Sequence, residues 1–180
     1  MKIAIIYAST EGQTRKIVHH AEDLLLGEGH SVTLRHATDA GDLRLSEFDA
    51  VILAASVHAG AYQSELVAFA KDHASTLNEG ASMFLSVSLG AAGDDDAEWT
   101  ALRGYVEDLK TDTCWTPGKI EHVAGAFKFT EYDFFRYWAM RWMESKRDPS
   151  APAGEDREYT DWDKLDKLLR DWTRAQTAAS

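Results

Sequence analysis

Cysteine is almost missing from this sequence: Cys114 stands alone, so no internal disulfide can form, and a reducing, cytoplasmic setting is the natural expectation. Long apolar runs are missing as well. No stretch approaches the roughly 18 uninterrupted apolar residues of a membrane span, and the opening MKIAIIYAST is too short for the core of a signal peptide. Any membrane contact is therefore expected to be peripheral, at the inner face. Basic charge is in short supply: Lys+Arg number 19 against 30 Asp+Glu, a formal net charge of -11. That balance disfavours nonspecific attraction to nucleic acid or an anionic bilayer, and charged partners should present basic patches. There are 7 histidines but no HExxH and no EF-hand loop, so no metal site is expected. Cys114 has no matching CxxC and gives no sign of a catalytic thiol. Proline is limited to 3 residues, and two of them, Pro149 and Pro152, fall in the charged, loop-like tail of one segment near the C-terminus.

What is present fits one domain over residues 1–180, with 44% hydrophobic residues available for a core. Ile3 to Tyr7 is a β-branched, nearly unbroken apolar run, as in a strand covered on both faces of a parallel sheet. From Gln13 the period becomes helical, with Ile17, Val18, Ala21, Leu24 and Leu25 on one face and Gly27 and Gly29 placed to stop the helix. Further strands are expected at Val32 to Arg35, Ala50 to Ala55, Ser82 to Val87 and Ile120 to Phe127. A helix capped by Ser64 should run past Leu77, another should cover 97–110, and a last one should open near Thr160 and Asp163 with Trp162, Leu165, Leu168, Leu169 and Trp172 as its core stripe. Five strands alternating with helices make an α/β, doubly wound parallel sheet with helices on both faces, and ligands are expected at the carboxyl ends of the central strands. Residues 128–158 exceed an ordinary connection. Within them Phe134, Phe135, Trp138 and Trp142 share one arc of a helical wheel, the pattern of an amphipathic helix.

The chemistry points to the loop Ser9-Thr10-Glu11-Gly12-Gln13-Thr14, between the first strand and first helix. Unpaired N–H groups and the positive end of the helix dipole suit a phosphate there, and the hydroxyls of Ser9, Thr10 and Thr14 can add donors. Gly12 lets the backbone curl. The loop has neither the lysine of GxxxxGK[ST] nor the pattern GxGxxG, which argues against a nucleoside triphosphate or a dinucleotide and for a monophosphate. The bland reading is a polar helix-capping turn with no ligand.

STEGQT resembles the S/T-x-T-G-x-T loop with which the flavodoxin family grips the phosphate of FMN, with Glu11 standing where a hydroxyl is usual. The resemblance extends over nearly the whole chain toward the menaquinone-dependent protoporphyrinogen oxidases of bacteria. It is carried by YASTEGQTRKI at 7–17, AASVHAGAYQSE at 54–65, HVAGAFKF at 122–129 with its aromatic insert, and YTDW at 159–162. It implies a flavodoxin-like fold with a long insert near the fifth strand, FMN as cofactor, and electrons passing from a reduced substrate through FMN to a quinone. In such a fold the flavin ring lies between the loops after the third and fourth strands. The candidate cofactor residues there are Ser56, Val57, His58, Ala59, Gly60, Tyr62, Ser88, Leu89 and Gly90, besides the phosphate loop. Tyr62 either stacks on the ring or packs at the start of the next helix. A protonated His58 would stabilise the charge of a reduced flavin, or it is a plain exposed loop histidine. No catalytic acid or base stands out.

Three functions remain open at this stage: an FMN-dependent oxidoreductase of the protoporphyrinogen oxidase type, an acidic electron carrier between redox proteins, and a flavin-free binding domain. The loop at 90–96, GAAGDDD, is acidic where the oxidase branch carries basic residues, and strong acidity suits a carrier that meets basic partners. The aromatic stripe at Phe134, Phe135, Trp138 and Trp142 either packs on the body or meets a lipid interface or second subunit.

Overall fold

A computed structural model describes residues 1–10, 12–127 and 157–179 of the chain. Its centre is a five-stranded sheet in the order β2-β1-β3-β4-β5, every pairing parallel. The strands are β1 (Lys2–Ala8), β2 (Ser31–His36), β3 (Ala50–Ser56), β4 (Ala81–Ser88) and β5 (Lys119–Ala124). The order reverses direction between β1 and β3, and the carboxyl ends of these two strands frame the crevice where doubly wound sheets place ligands.

Alternation along the strands divides the core in two. Ala4, Ile6, Val51, Leu53 and Phe84 face α2 (Ser64–Asp72), α3 (Ala74–Glu79) and α4 (Asp96–Thr113), where Leu66, Phe69, Leu77, Val106 and Leu109 receive them. Ile3, Ile5, Ile52, Met83 and Leu85 face α1 (Gln13–Gly27) and α5 (Trp162–Ala179), meeting Ile17, Leu25, Leu165, Leu169 and Trp172. The unbroken apolar runs of the sequence are thus central strands covered on both sides.

α1 stops as its sequence indicates. His30 N–H bonds the Leu25 carbonyl, Gly29 N–H bonds that of Leu26, and Gly29 takes the left-handed φ of 85° that this ending requires. Three expectations need correction. The helix after β3 is broken at His73 into α2 and α3, and its N-cap is Gln63, with Ser64 already inside the helix. The fifth strand does not run to Phe127: Gly125 leaves the sheet, and β6 (Ala126–Phe127) pairs antiparallel with β7 (Arg157–Glu158). The last helix is capped by Asp161, whose carboxylate accepts from Lys164 N–H, while Thr160 is engaged elsewhere. The stripe at Phe134, Phe135, Trp138 and Trp142 and the acidic residue Glu11 lie outside the described residues. Among the described residues no helix is long and apolar enough to cross a membrane.

Candidate functional site

The loop after β1 sits at the carboxyl end of the sheet beside the β1/β3 crevice. Gly12, the N-cap of α1, has φ 88°, a left-handed turn that only glycine adopts without strain. Its N–H donates to Ser9 Oγ at 3.1 Å, closing the loop on itself. Among the described residues no acidic side chain occupies the first turn of α1. Thr14 is 1% exposed, and its hydroxyl has no hydrogen-bond partner among the described residues. A buried bare hydroxyl is costly, and one at a helix N-terminus fits a site that an anion completes.

Both flanks of this loop are tied down. On one side Gln63 Nε2 donates to Thr10 Oγ1 at 3.0 Å and to Ser56 Oγ at 2.6 Å, joining the loop to the end of β3. On the other, Gln13 Nε2 donates to Thr160 Oγ1 at 2.9 Å, and Thr160 in turn donates to the Ala124 carbonyl at 2.7 Å, joining it to the end of β5. An outer brace runs from Lys16 to Glu158 and from Trp162 Nε1 to Glu158 Oε1 at 2.7 Å. Burial would raise the pKa of Glu158, but the hydrogen bonds from Lys16, Trp162 and Gln13 outweigh it and hold the carboxyl below its ordinary value. Gln63 and Thr160 were not among the site residues read from the sequence. Both lie inside segments that carry the family resemblance, 54–65 and 159–162, but neither spacing nor period marks their role, and Thr160 is 147 positions from the side chain it meets.

The loop after β3 is a tight reversal. His58 and Ala61 exchange backbone hydrogen bonds at 2.8 and 3.1 Å, with Ala59 at φ 50° and Gly60 at φ 84° between them. A left-handed alanine is uncommon and mildly strained, and such strain gathers at ligand clamps. His58, Ala59 and Gly60 are exposed, at the rim of the crevice, while Ser56 and Val57 are half-buried. Gly60 lies close beneath α4: a Cβ there would come 3.5 Å from the Tyr105 hydroxyl.

Tyr62 is packed against the sheet. It is 8% exposed, packs edge-on against Phe84 at 5.0 Å and bonds Ser86 Oγ at 2.8 Å. Burial pushes its phenol up to about 12 against the opposing hydrogen bond from Ser86, so it is neutral at any working pH. On the far side of the crevice Ser88 is buried and its hydroxyl accepts from Ala91 N–H at 3.2 Å, shaping the turn that contains Leu89 and Gly90. Val57 N–H bonds the Val87 carbonyl at 2.8 Å, so the loops after β3 and β4 leave the sheet side by side. Of the acidic run, Asp95 caps α4, accepting from Ala97 and Glu98 N–H, which places part of that charge against a helix N-terminus.

These donors suit a monophosphate attached to a flat ring: a glycine turn, a bare buried hydroxyl and open helix N–H groups at one end, and two adjacent loops at the other. Comparison with known proteins gives the class. A flavodoxin domain model matches residues 4–150, and the chain belongs to that family, which implies FMN as its cofactor. Among curated relatives, protoporphyrinogen IX dehydrogenase [quinone] of Escherichia coli K12 is 24% identical over 171 residues, covering 95% of this chain and 94% of the relative. The protein of the same name from Leishmania major is 24% identical over 172 residues, 95% of this chain and 74% of the relative. A solved short-chain flavodoxin associated with a bacterial microcompartment superposes with a TM-score of 0.58 at 15% identity, covering 98% of this chain and 99% of that one.

Proposed function

We propose that this flavodoxin-like oxidoreductase holds FMN by its phosphate in the Ser9–Thr14 loop and passes electrons from a reduced porphyrinogen-type substrate to a quinone. The observation that carries the reading is the Thr14 hydroxyl, buried and without a partner among the described residues, at the N-terminus of α1 beside the crevice. When bound, FMN supplies the redox chemistry, accepting electrons from one molecule and delivering them to another. The chain supplies position. Gly12, the N–H groups of the first turn and the hydroxyls of Ser9, Thr10 and Thr14 hold the phosphate. The Gln63 and Gln13–Thr160 ties fix that loop against the ends of β3 and β5. The His58–Ala61 reversal and the Ser88–Gly90 turn flank the ring, and His58 at the rim can place positive charge beside it when protonated. The names of the E. coli and L. major relatives support both porphyrinogen and quinone.

A carrier of electrons between proteins is the second reading, favoured by the net charge of -11. The test reduces the FMN-loaded protein anaerobically and mixes it with a naphthoquinone and then, separately, with a basic redox protein. Rapid reoxidation by quinone together with turnover of protoporphyrinogen supports the enzyme. Indifference to both small molecules alongside rapid reoxidation by the protein partner replaces it with the carrier.

A further inference from the structure

Among the described strands β5 is an outer strand of the main sheet, and beside it lies a cleft lined by residues outside the Ser9–Thr14 loop and the loop after β3. Its apolar wall is Ala91, Ala92, Val123, Ala124, Leu165 and Leu168, and its polar lining includes His122 and Tyr159. We propose that this cleft seats the headgroup of a quinone, with the His122 imidazole donating a hydrogen bond to one quinone carbonyl. The proposal rests on the quinone-linked reading above and adds to it a location and a recognition residue.

Four features converge on a neutral, flat carbonyl compound. The cleft measures about 290 Å³, near the lower limit of about 300 Å³ for sites of drug-sized ligands, which suits a one- or two-ring headgroup and is too small for a tetrapyrrole. Its charges cancel locally: Glu121 pairs with Lys164 at 2.9 Å and lies 3.9 Å from Lys119, and the carboxylate of Asp161 is occupied in capping α5. No cation among these is left uncompensated for a carboxylate or phosphate.

His122 itself is held but not satisfied. Trp99 meets it edge-on at 5.5 Å and is anchored by its own bond from Nε1 to the Gly93 carbonyl at 2.8 Å. His122 Nδ1 is buried with no hydrogen-bond partner. Burial lowers the pKa of the ring, so it is neutral near pH 7 with one N–H to place. With its proton on Nε2 the ring offers the cleft one donor, and Nδ1 stays a buried lone pair. Finally, the cleft and the ring crevice share a wall: Ala91 and Ala92 continue directly from the Ser88–Gly90 turn. A headgroup seated here is one turn of backbone away from the proposed ring position.

The test titrates the oxidised, FMN-loaded protein with menadione, following heat by calorimetry and the His122 ring nitrogens by NMR. Wild type should bind with a shift at His122. His122→Leu should weaken binding about fivefold, the value of one hydrogen bond, and His122→Gln, which keeps a donor, should retain most of it. FMN affinity should stay the same in all three. Ala91→Phe, which fills the cleft without touching the histidine, should also weaken menadione and covers the case in which His122→Leu does not fold. The proposal is overturned if wild type does not bind menadione, if Ala91→Phe and His122→Leu bind like wild type, or if the shifts appear at His58 and not at His122. Loss of FMN binding by wild type would instead strike the functional reading, since menadione binding to the flavin-free protein can still be followed at His122.

Discussion

Replacing Thr14 by valine separates a ligand site from a mere helix cap, because it moves two measurements in opposite directions. The side chain is 1% exposed and its hydroxyl has no partner among the described residues, so the flavin-free protein carries the desolvation cost of that group without return. Valine has nearly the same shape and no hydroxyl. Removing an unsatisfied buried hydroxyl should raise the stability of the flavin-free protein by about 1 to 3 kcal/mol. The same change deletes a hydrogen bond to a charged phosphate, worth about 1.5 to 3 kcal/mol, so FMN should bind roughly 10- to 150-fold more weakly. Linkage sharpens the contrast. FMN at a hundred times the wild-type Kd adds about 2.7 kcal/mol to wild-type stability, but about 1.4 kcal/mol or less to a variant that binds tenfold more weakly. Urea unfolding with and without FMN measures the first quantity, and quenching of flavin fluorescence the second. A variant that is less stable without flavin and binds FMN like wild type would refute the reasoning, since the hydroxyl would then be bonded within the protein.

Tyr62→Phe should cost about 1 kcal/mol, because it strands the buried Ser86 hydroxyl, and should leave FMN affinity unchanged; a large drop in affinity would put the Tyr62 ring against the flavin after all. Thr160→Val breaks the chain from Gln13 to the Ala124 carbonyl, and both stability, by about 1 to 2 kcal/mol, and FMN affinity should fall; unchanged affinity would mean the phosphate loop does not depend on that tie. Burial lowers the pKa of His122 below its unfolded value of 6.5, so its contribution to stability is complete above that pH and is lost as pH falls through the lower, folded value. Wild type should therefore lose more stability than His122→Gln between pH 7.5 and 5 in urea titrations, and parallel curves would contradict the burial argument.

The strands and their order of appearance were legible because fully buried parallel strands require unbroken apolar runs, and Ile3 to Tyr7 and Ala50 to Ala55 provide them. The turn at the head of α1 was legible for a similar reason: its features are local, a glycine and hydroxyls between a strand and a helix. Where the signal is non-local, the sequence is mute. Thr160 has the look of a helix cap, yet its hydroxyl is drawn to the Ala124 carbonyl and Gln13, and Asp161 next to it takes over the capping. Nothing in the helical period from Leu66 to Leu77 marks the break at His73. The turn-out of the chain at Gly125, where β5 ends and β6 begins, is hidden inside an apolar run that reads as one strand. Tyr62 shows the limit at the site itself, since an aromatic residue in a crevice loop reads alike whether it faces a ligand or the core, and its contact with Phe84 is visible only in the fold.

Calorimetric titration of the flavin-free protein with FMN and, in parallel, with riboflavin asks whether a phosphate is what the Ser9–Thr14 loop holds. One equivalent of FMN should bind at least tenfold more tightly than riboflavin, as expected from even one charge-assisted hydrogen bond to the phosphate. Equal affinities, or no binding of either, would contradict the account.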